Sequence, residues 1–239
     1  MDKNKKVKIL EAFQPIAYKY IPLIDFHLHT NWTDGHNNEM EMYFQASVLG
    51  LEYILFSEHV RRTSSEWFGR FANSIKQLPF NSCKAYVGAE TKVSDYNGNI
   101  DCSITIIDNC DFVIASVHRF PDKLNLEPIE FKNVPAEEAI ELEYQLSIRV
   151  LDNPDVDILG HPFGMCLSRY NIIPPVELFG ALAKKAAING VAIEVNSSYN
   201  PYPWDLIKLC KNEGALVTLG SDAHCIEDVG KVVRILKGE

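Results

Sequence analysis

The chain has 239 residues, 46% of them hydrophobic, a formal net charge of −9 and a pI near 5.3. That length is long for an ordinary domain but normal for one α/β barrel, and the acidic balance is the opposite of the basic footprint of a duplex-binding protein. No apolar stretch reaches the 18 residues of a membrane span, Met1 to Lys6 carries no apolar signal region, and the six cysteines form no C-x-x-C pair. These features predict a soluble, cytoplasmic protein with reduced thiols and no membrane partner, with a lysine-rich extension over 1–22 and a single domain over 23–239.

From there strand and helix patterns alternate. The apolar run Leu23 to His29 predicts a first strand, and Met40, Tyr43, Phe44 and Ala46 at roughly helical spacing predict a helix over Glu39 to Leu49 capped by Asn37 or Asn38. A strand Tyr53 to Ser57, a helix near Glu66 to Gln77, a strand Lys84 to Glu90, a turn at Asn97-Gly98 and a strand Phe112 to Val117 follow. The connection Arg119 to Pro135 is long and proline-containing, as a lid would be. Ala139, Leu142, Leu146 and Val150 share one face of a helix over Ala136 to Leu151, which Asn153-Pro154 stops. Next come a strand Val156 to Gly160, a helix opened by Pro174-Pro175, a strand Val191 to Val195, a helix Trp204 to Asn212 and a strand Leu216 to Gly220. Near-continuous apolar strands separated by amphipathic helices argue for a parallel sheet covered by helices, closed into an α/β barrel of the (βα)8 kind with one unit missing. An open doubly wound sheet is the alternative, but it would not easily aim six strand ends at one point.

The histidines carry the functional signal. His27, His29, His59, His118, His161 and His224 all end apolar runs, and imidazoles at the same end of successive strands build one polar pocket from distant sequence. Because side chains alternate along a strand, Asp25, His27 and His29 should face one way. His-x-His then reads as a two-toothed metal clamp, with Asp25 beneath it to orient an imidazole N–H. A pair of hydrogen-bonded core histidines explains His-x-His alone equally well. The carboxylates and histidines at the other strand ends favour metal.

Seven motifs occur in order: Asp25-Phe26-His27-Leu28-His29-Thr30, Thr33-Asp34-Gly35, Ser57-Glu58-His59, Gly88-Ala89-Glu90, Ser116-Val117-His118, Gly160-His161-Pro162 and Ser221-Asp222-Ala223-His224. From Ile24 to about Val229 the chain resembles the PHP domains, named after polymerase and histidinol phosphatase. Asn31 to Asn37 and Asp157 to Pro162 look most like the PHP domain that accompanies bacterial X-family DNA polymerases, although no polymerase domain is present. The resemblance implies a distorted (βα)7 TIM-like barrel holding two to three divalent ions. One ion would take His27, His29, Glu90 and Asp222; a second would share a bridging Glu90 with His118 and His161; a third would take Asp34, His59 and His224. Asp34 is favoured over His36 in the third set, leaving His36 as a substrate contact or a surface residue. The family usually has Thr-Asp-His where this chain has Ser57-Glu58-His59.

Mixed imidazole and carboxylate donors suit zinc, manganese or iron rather than magnesium or calcium. Such a site set around Glu90, Asp222 and Asp34 attracts anions, and a hydroxide bridging two ions is a nucleophile at neutral pH. Arg61, Arg62, Arg119 and Arg169 follow the histidine motifs, where they could clamp a phosphate. Glu194 and Asn196 end the one strand without an obvious ligand. The leading expectation is a metal-dependent phosphoesterase acting on a small phosphomonoester. A phosphodiesterase or 3′–5′ exonuclease on nucleic acid is the second, with the acidic composition against it. A non-catalytic metal-binding module is the third. A deaminase-type barrel also opens on His-x-His, but Glu90 and His118 point away from it.

Overall fold

The computed structural model describes residues 1–14, 20–79, 83–124 and 127–239. Seven parallel strands stand in sequence order: β1 (Ile24–Leu28), β2 (Tyr53–Val60), β3 (Lys84–Lys92), β4 (Phe112–Ser116), β5 (Ile158–Leu159), β6 (Ala192–Asn196) and β7 (Leu216–Gly220). Around them lie helices α1 (Lys3–Ala12), α2 (Glu39–Val48), α3 (Ser65–Lys76), α4 (Ile104–Ile107), α5 (Ala136–Val150), α6 (Gly164–Tyr170), α7 (Val176–Asn189), α8 (Pro203–Glu213) and α9 (Lys231–Lys237). The strand order closes on itself through the parallel bridge Leu28 to Ala223, just past the end of β7, where the His29 N–H donates to the Ala223 carbonyl at 2.9 Å. The architecture is a distorted (βα)7 barrel. Its strands are buried along almost their whole length, which is why they read as continuous apolar runs rather than as alternating ones.

Two kinds of filling divide the barrel. At the end where the strands begin, Phe26, Tyr86 and Phe112 pack ring to ring at 5.5 to 5.9 Å, and Phe13 caps them edge-on at 5.6 Å from Phe26. At the end where the strands finish, the imidazoles and carboxylates gather. Aromatic burial below supplies the rigid, dry floor that a precisely placed polar cluster needs.

The lysine-rich segment before residue 13 folds into α1, capped by the Asp2 side chain, and closes that floor. Leu10 and Phe13 are buried, and Gln14 pairs with both backbone groups of Val217 at the start of β7. Its lysines hid the helix, because one of them is buried: Lys6 Nζ lies 2.7 Å from Asp157 Oδ2. The same oxygen accepts the Val113 N–H at 2.9 Å, replacing a backbone acceptor in the ladder. That substitution, with the left-handed turn at His161, leaves only Ile158–Leu159 of the expected strand Val156 to Gly160 in regular pairing. In the other direction, β2 and β3 run on to Val60 and Lys92, so His59 and Glu90 sit within strands, directly paired. Sequence periodicity also missed α4, α6 and α9, each seven residues or shorter. Of the expected lid, residues 125 and 126 lie outside the described residues; Pro121 pairs with Pro128, and Phe131–Asn133 form a 3₁₀ turn.

Removing one member of a buried ion pair strands the other, so Lys6→Ala should lower unfolding free energy by about 3 kcal/mol. A denaturant midpoint within error of wild type would show that α1 is not part of the cooperative unit.

Candidate metal centre

Each strand delivers its side chain where it ends because the ladder register aligns the strand tips; β2 and β3 place His59 opposite Glu90. Glu90, 1% exposed, is the hub. Its Oε1 lies 3.4 Å from His27 Nε2 and 3.1 Å from Nε2 of both His118 and His161. Its Oε2 lies 2.7 Å from His59 Nδ1 and 3.6 Å from His29 Nε2. Asp222 Oδ1 stands 3.2 Å from His29 Nε2 and 3.6 Å from His27 Nε2. Asp34 reaches His59 and His224, both at 3.4 Å. Among the described residues, three groups have donor atoms close enough to share an ion: His27, His29 and Glu90; His59, Glu90 and His118; and His29, Asp34, His59 and His224. All nine expected ligands therefore meet at one rim. His36 does not join them; it is exposed, and its backbone N–H donates to the His224 carbonyl at 2.7 Å.

Asp25 does not orient an imidazole. The pairing of β1 with β2 slips by one residue between Asp25 and Leu28, and this irregularity breaks the alternation on which the expectation rested. Asp25 turns instead to the N–H groups of Ser221 (2.9 Å) and Gly230 (2.8 Å), which ties β1 to the far side of β7. The orienting carboxylate is Glu194 on β6. Its Oε1 meets His27 Nδ1 at 2.7 Å, leaving Nε2 to face the cluster, and its Oε2 accepts the backbone N–H of His161. Asn196 Nδ2 donates to the same Oε1 at 3.1 Å. Gly220 makes room: a Cβ there would collide with Glu194 Oε1. Two of the four non-glycine residues with positive φ among the described residues belong to the cluster, His161 at 20° and Asp222 at 52°; the other two, Phe163 and Asn171, flank α6.

The loop carrying Asp34 is held by Glu58. Its carboxylate accepts the Thr30 N–H (2.8 Å) and Oγ1–H (2.7 Å) and the Thr33 hydroxyl. The close approach of Gly35 to the His29 carbonyl completes the turn. The departure from the usual Thr-Asp-His is thus a longer carboxylate spanning to two threonines.

Electrostatics follow from this crowding. Burial opposes charge on His27, but Glu194, Glu90 and Asp222 outweigh it and raise its pKa well above the ordinary value. In His59 the same burial is outweighed by Glu90 and Asp34, which lift it to about 10. Burial lowers His29 to about 4, against its contact with Asp222. Burial also opposes ionisation of Glu90, yet His118, His27 and His59 hold it well below the carboxylate range. The Asp34 carboxyl is lowered chiefly by its hydrogen bond to His59. Carboxylates so surrounded stay ionised, and divalent cations would replace the protons on the imidazoles. The donor set fits such ions: the Nε2 atoms of His27 and His29 are buried and form no well-shaped hydrogen bond, although carboxylate oxygens lie 3.2 to 3.6 Å away.

Around the cluster opens a cavity of about 310 Å³, walled also by Ser168, Arg169 and Tyr199. Arg169 rides on the last turn of α6. A second opening of about 230 Å³ joins His59, Glu90 and His118 to Arg61, Lys92 and Arg119. Arg62 lies one step farther out. Lys92 and Tyr199 escaped sequence reasoning. Lys92 lies two residues beyond Glu90, one pleat repeat along the same face, a signal available once β3 was extended. Tyr199, its ring 4.9 Å from that of His161, sits in an irregular turn that no periodicity marks. Glu143 was also missed; it is buried in α5 and caps α6 by accepting the N–H groups of Met165 and Cys166.

A family model described as the PHP domain matches residues 25–198. The chain belongs to the PHP domain family. Among curated proteins, this PHP domain is 31% identical over 229 residues to a probable phosphatase of Clostridium novyi, covering 91% of this chain and 84% of the other. It is 29% identical over 225 residues to a probable phosphatase of Aliivibrio fischeri, covering 89% and 82%. Among solved structures, it superposes on the histidinol phosphate phosphatase of Lactococcus lactis, determined with zinc, L-histidinol and phosphate. The TM-score is 0.61 at 19% identity, over 90% of this chain and 92% of that one, a likeness of fold.

Two outcomes test the supporting shell. A glutamine at 194 would aim an N–H₂ at groups that already donate, so Glu194→Gln should weaken zinc retention by about 10- to 100-fold in chelator competition, with the circular dichroism of wild type. Unchanged retention would remove Glu194 from the account. Burial pushes the Glu143 carboxyl up to about 7, above its ordinary 4.5, against hydrogen bonds from Cys166 and Met165. The unfolded chain therefore ionises first, and the stability Glu143 contributes is full below about pH 4.5 and lost as pH rises through 7. Relative to Glu143→Gln, wild type should lose on the order of 2 kcal/mol over that window. Parallel stability profiles of the two proteins would contradict it.

Proposed function

We propose that this PHP domain hydrolyses a small phosphomonoester with two to three divalent transition-metal ions, zinc foremost, and that it works in the cytoplasm. The observation that carries the reading is Glu90, a buried carboxylate within 3.6 Å of five imidazoles at the mouth of an open cavity. Metal-dependent phosphoric ester hydrolysis is also what family membership and the names of the relatives support. Cytoplasmic location agrees with six unpaired cysteines, five of them buried. No helix of the described residues is long and apolar enough to cross a membrane.

His27, His29, Glu90 and Asp222 would hold one ion, Glu90, His118 and His161 a second, and Asp34, His59 and His224 a third. When bound, the ions supply a hydroxide nucleophile at neutral pH and neutralise charge on the transferring phosphoryl group. The chain's own residues do the positioning. Glu194 fixes the tautomer of His27 so that Nε2 faces inward. Glu58 and its threonines keep Asp34 over His59 and His224. Arg61, Arg119 and Arg169 border the openings, where planar guanidinium groups can each grip two phosphate oxygens. A single terminal phosphate fits openings of about 230 and 310 Å³ better than a polymer does.

Glu90→Gln should lower kcat/KM for an aryl phosphate on the order of 10³-fold or more with metals supplied, because one carboxylate serves two candidate ions. Turnover near wild type would refute the assignment. In a substrate panel, sugar or nucleoside monophosphates should exceed bis-aryl phosphodiesters and 3′-ended oligonucleotides in kcat/KM. Faster trimming of single-stranded DNA from its 3′ end would make the protein an exonuclease instead.

A further inference from the structure

Beside the opening at His59 and His118 lies the larger cavity of about 470 Å³, which shares Lys92 and Arg119 with it and adds Arg62, Asp95, Asp101, Pro121 and Pro128 to its wall. It is not needed to hold one phosphate on the metal cluster. We propose that this cavity receives a second anionic group of the substrate, so that the preferred substrates are phosphomonoesters carrying another phosphate or carboxylate. The inference rests on the phosphomonoesterase reading of the neighbouring cluster and narrows its substrate class.

The charge distribution points there. Both carboxylates of the cavity are already engaged. Asp95 accepts the N–H groups of Asn97 (2.8 Å) and Asn99 (3.2 Å) and the Asn99 side-chain amide (2.8 Å), which builds the turn at Asn97-Gly98. Asp101 pairs with Lys92 at 3.1 Å and accepts the backbone N–H of Arg62 at 3.3 Å. Among the described residues, the guanidinium of Arg62 donates to the Ile100 carbonyl at 3.5 Å, and neither it nor that of Arg119 has a carboxylate within 4.0 Å. Two guanidinium groups thus face one cavity with no ion-pair partner within 4.0 Å among the described residues, although Asp95 and Asp101 stand in the same wall, and each remains open to grip phosphate or carboxylate in two-pronged fashion.

Strand geometry sets the reach. Glu90 and Lys92 lie on the same face of β3, two residues apart, so the cavity begins about 7 Å outward from the hub of the cluster. A three-carbon to sugar-sized scaffold spans that separation, and the volume accommodates it.

The test compares matched pairs with metals supplied: glycerol 3-phosphate against 3-phosphoglycerate, and glucose 6-phosphate against glucose 1,6-bisphosphate. In wild type the second anion should raise kcat/KM at least tenfold in one pair or both, mainly through a lower KM. Arg62→Glu should bring that ratio to one or below, and Arg62→Lys should retain part of it. A wild-type ratio within twofold of one in both pairs, or a preference that survives Arg62→Glu, overturns the second-anion site while leaving the phosphomonoesterase intact. No turnover of these four esters or of an aryl phosphate overturns both.

Discussion

A carboxylate buried to 1% exposure is tolerable only if its charge is answered, and Glu90 is answered by five imidazoles drawn from strands β1 and β2 and from the segments following β1, β4 and β5. Much of the architecture can be read as what that arrangement requires. Parallel strands in sequence order bring their ends to one rim; a plug of aromatic rings and helix α1 keeps the opposite end dry; and carboxylates behind the ligands hold them in place. Glu194 spans from His27 to the backbone of His161, so two strands on opposite sides of the hub are locked by one side chain. Backbone strain at His161 and Asp222 is located where that packing can sustain it.

The acidic chain and its anion-binding reading are compatible because the charges are segregated. Asp34, Glu90 and Asp222 face the candidate ions, whereas Arg61, Arg119 and Arg169 border the openings and Arg62 lies beyond them. Net charge therefore says little about the local field a small substrate meets, although it does disfavour a long polyanion.

The fold and the clustering of the histidines were legible in the sequence because both depend on signals that recur: apolar runs with histidine at their ends, separated by amphipathic helices. What stayed hidden was set by tertiary context. Asp25 looked like the partner of a histidine until the slip in the pairing of β1 turned it toward Ser221 and Gly230. Glu194 could be noticed but not assigned, since its partner His27 lies 167 residues away. Helix α1 was obscured by lysines, one of which is buried against Asp157. Helices α6 and α9 are too short to display a period, and Tyr199 sits in a turn. Of the arginines, three border the two openings that share Glu90, and Arg62 does not, a distinction of depth that sequence spacing cannot express.

Glu90 and the eight side chains gathered around it are proposed to be a transition-metal site. Elemental analysis of protein purified without chelators tests it most directly. Two to three equivalents of zinc, manganese or iron per chain, falling sharply in Glu90→Ala, is the result this account predicts. Less than one equivalent in wild type, after transition metals have been supplied during expression, would contradict it.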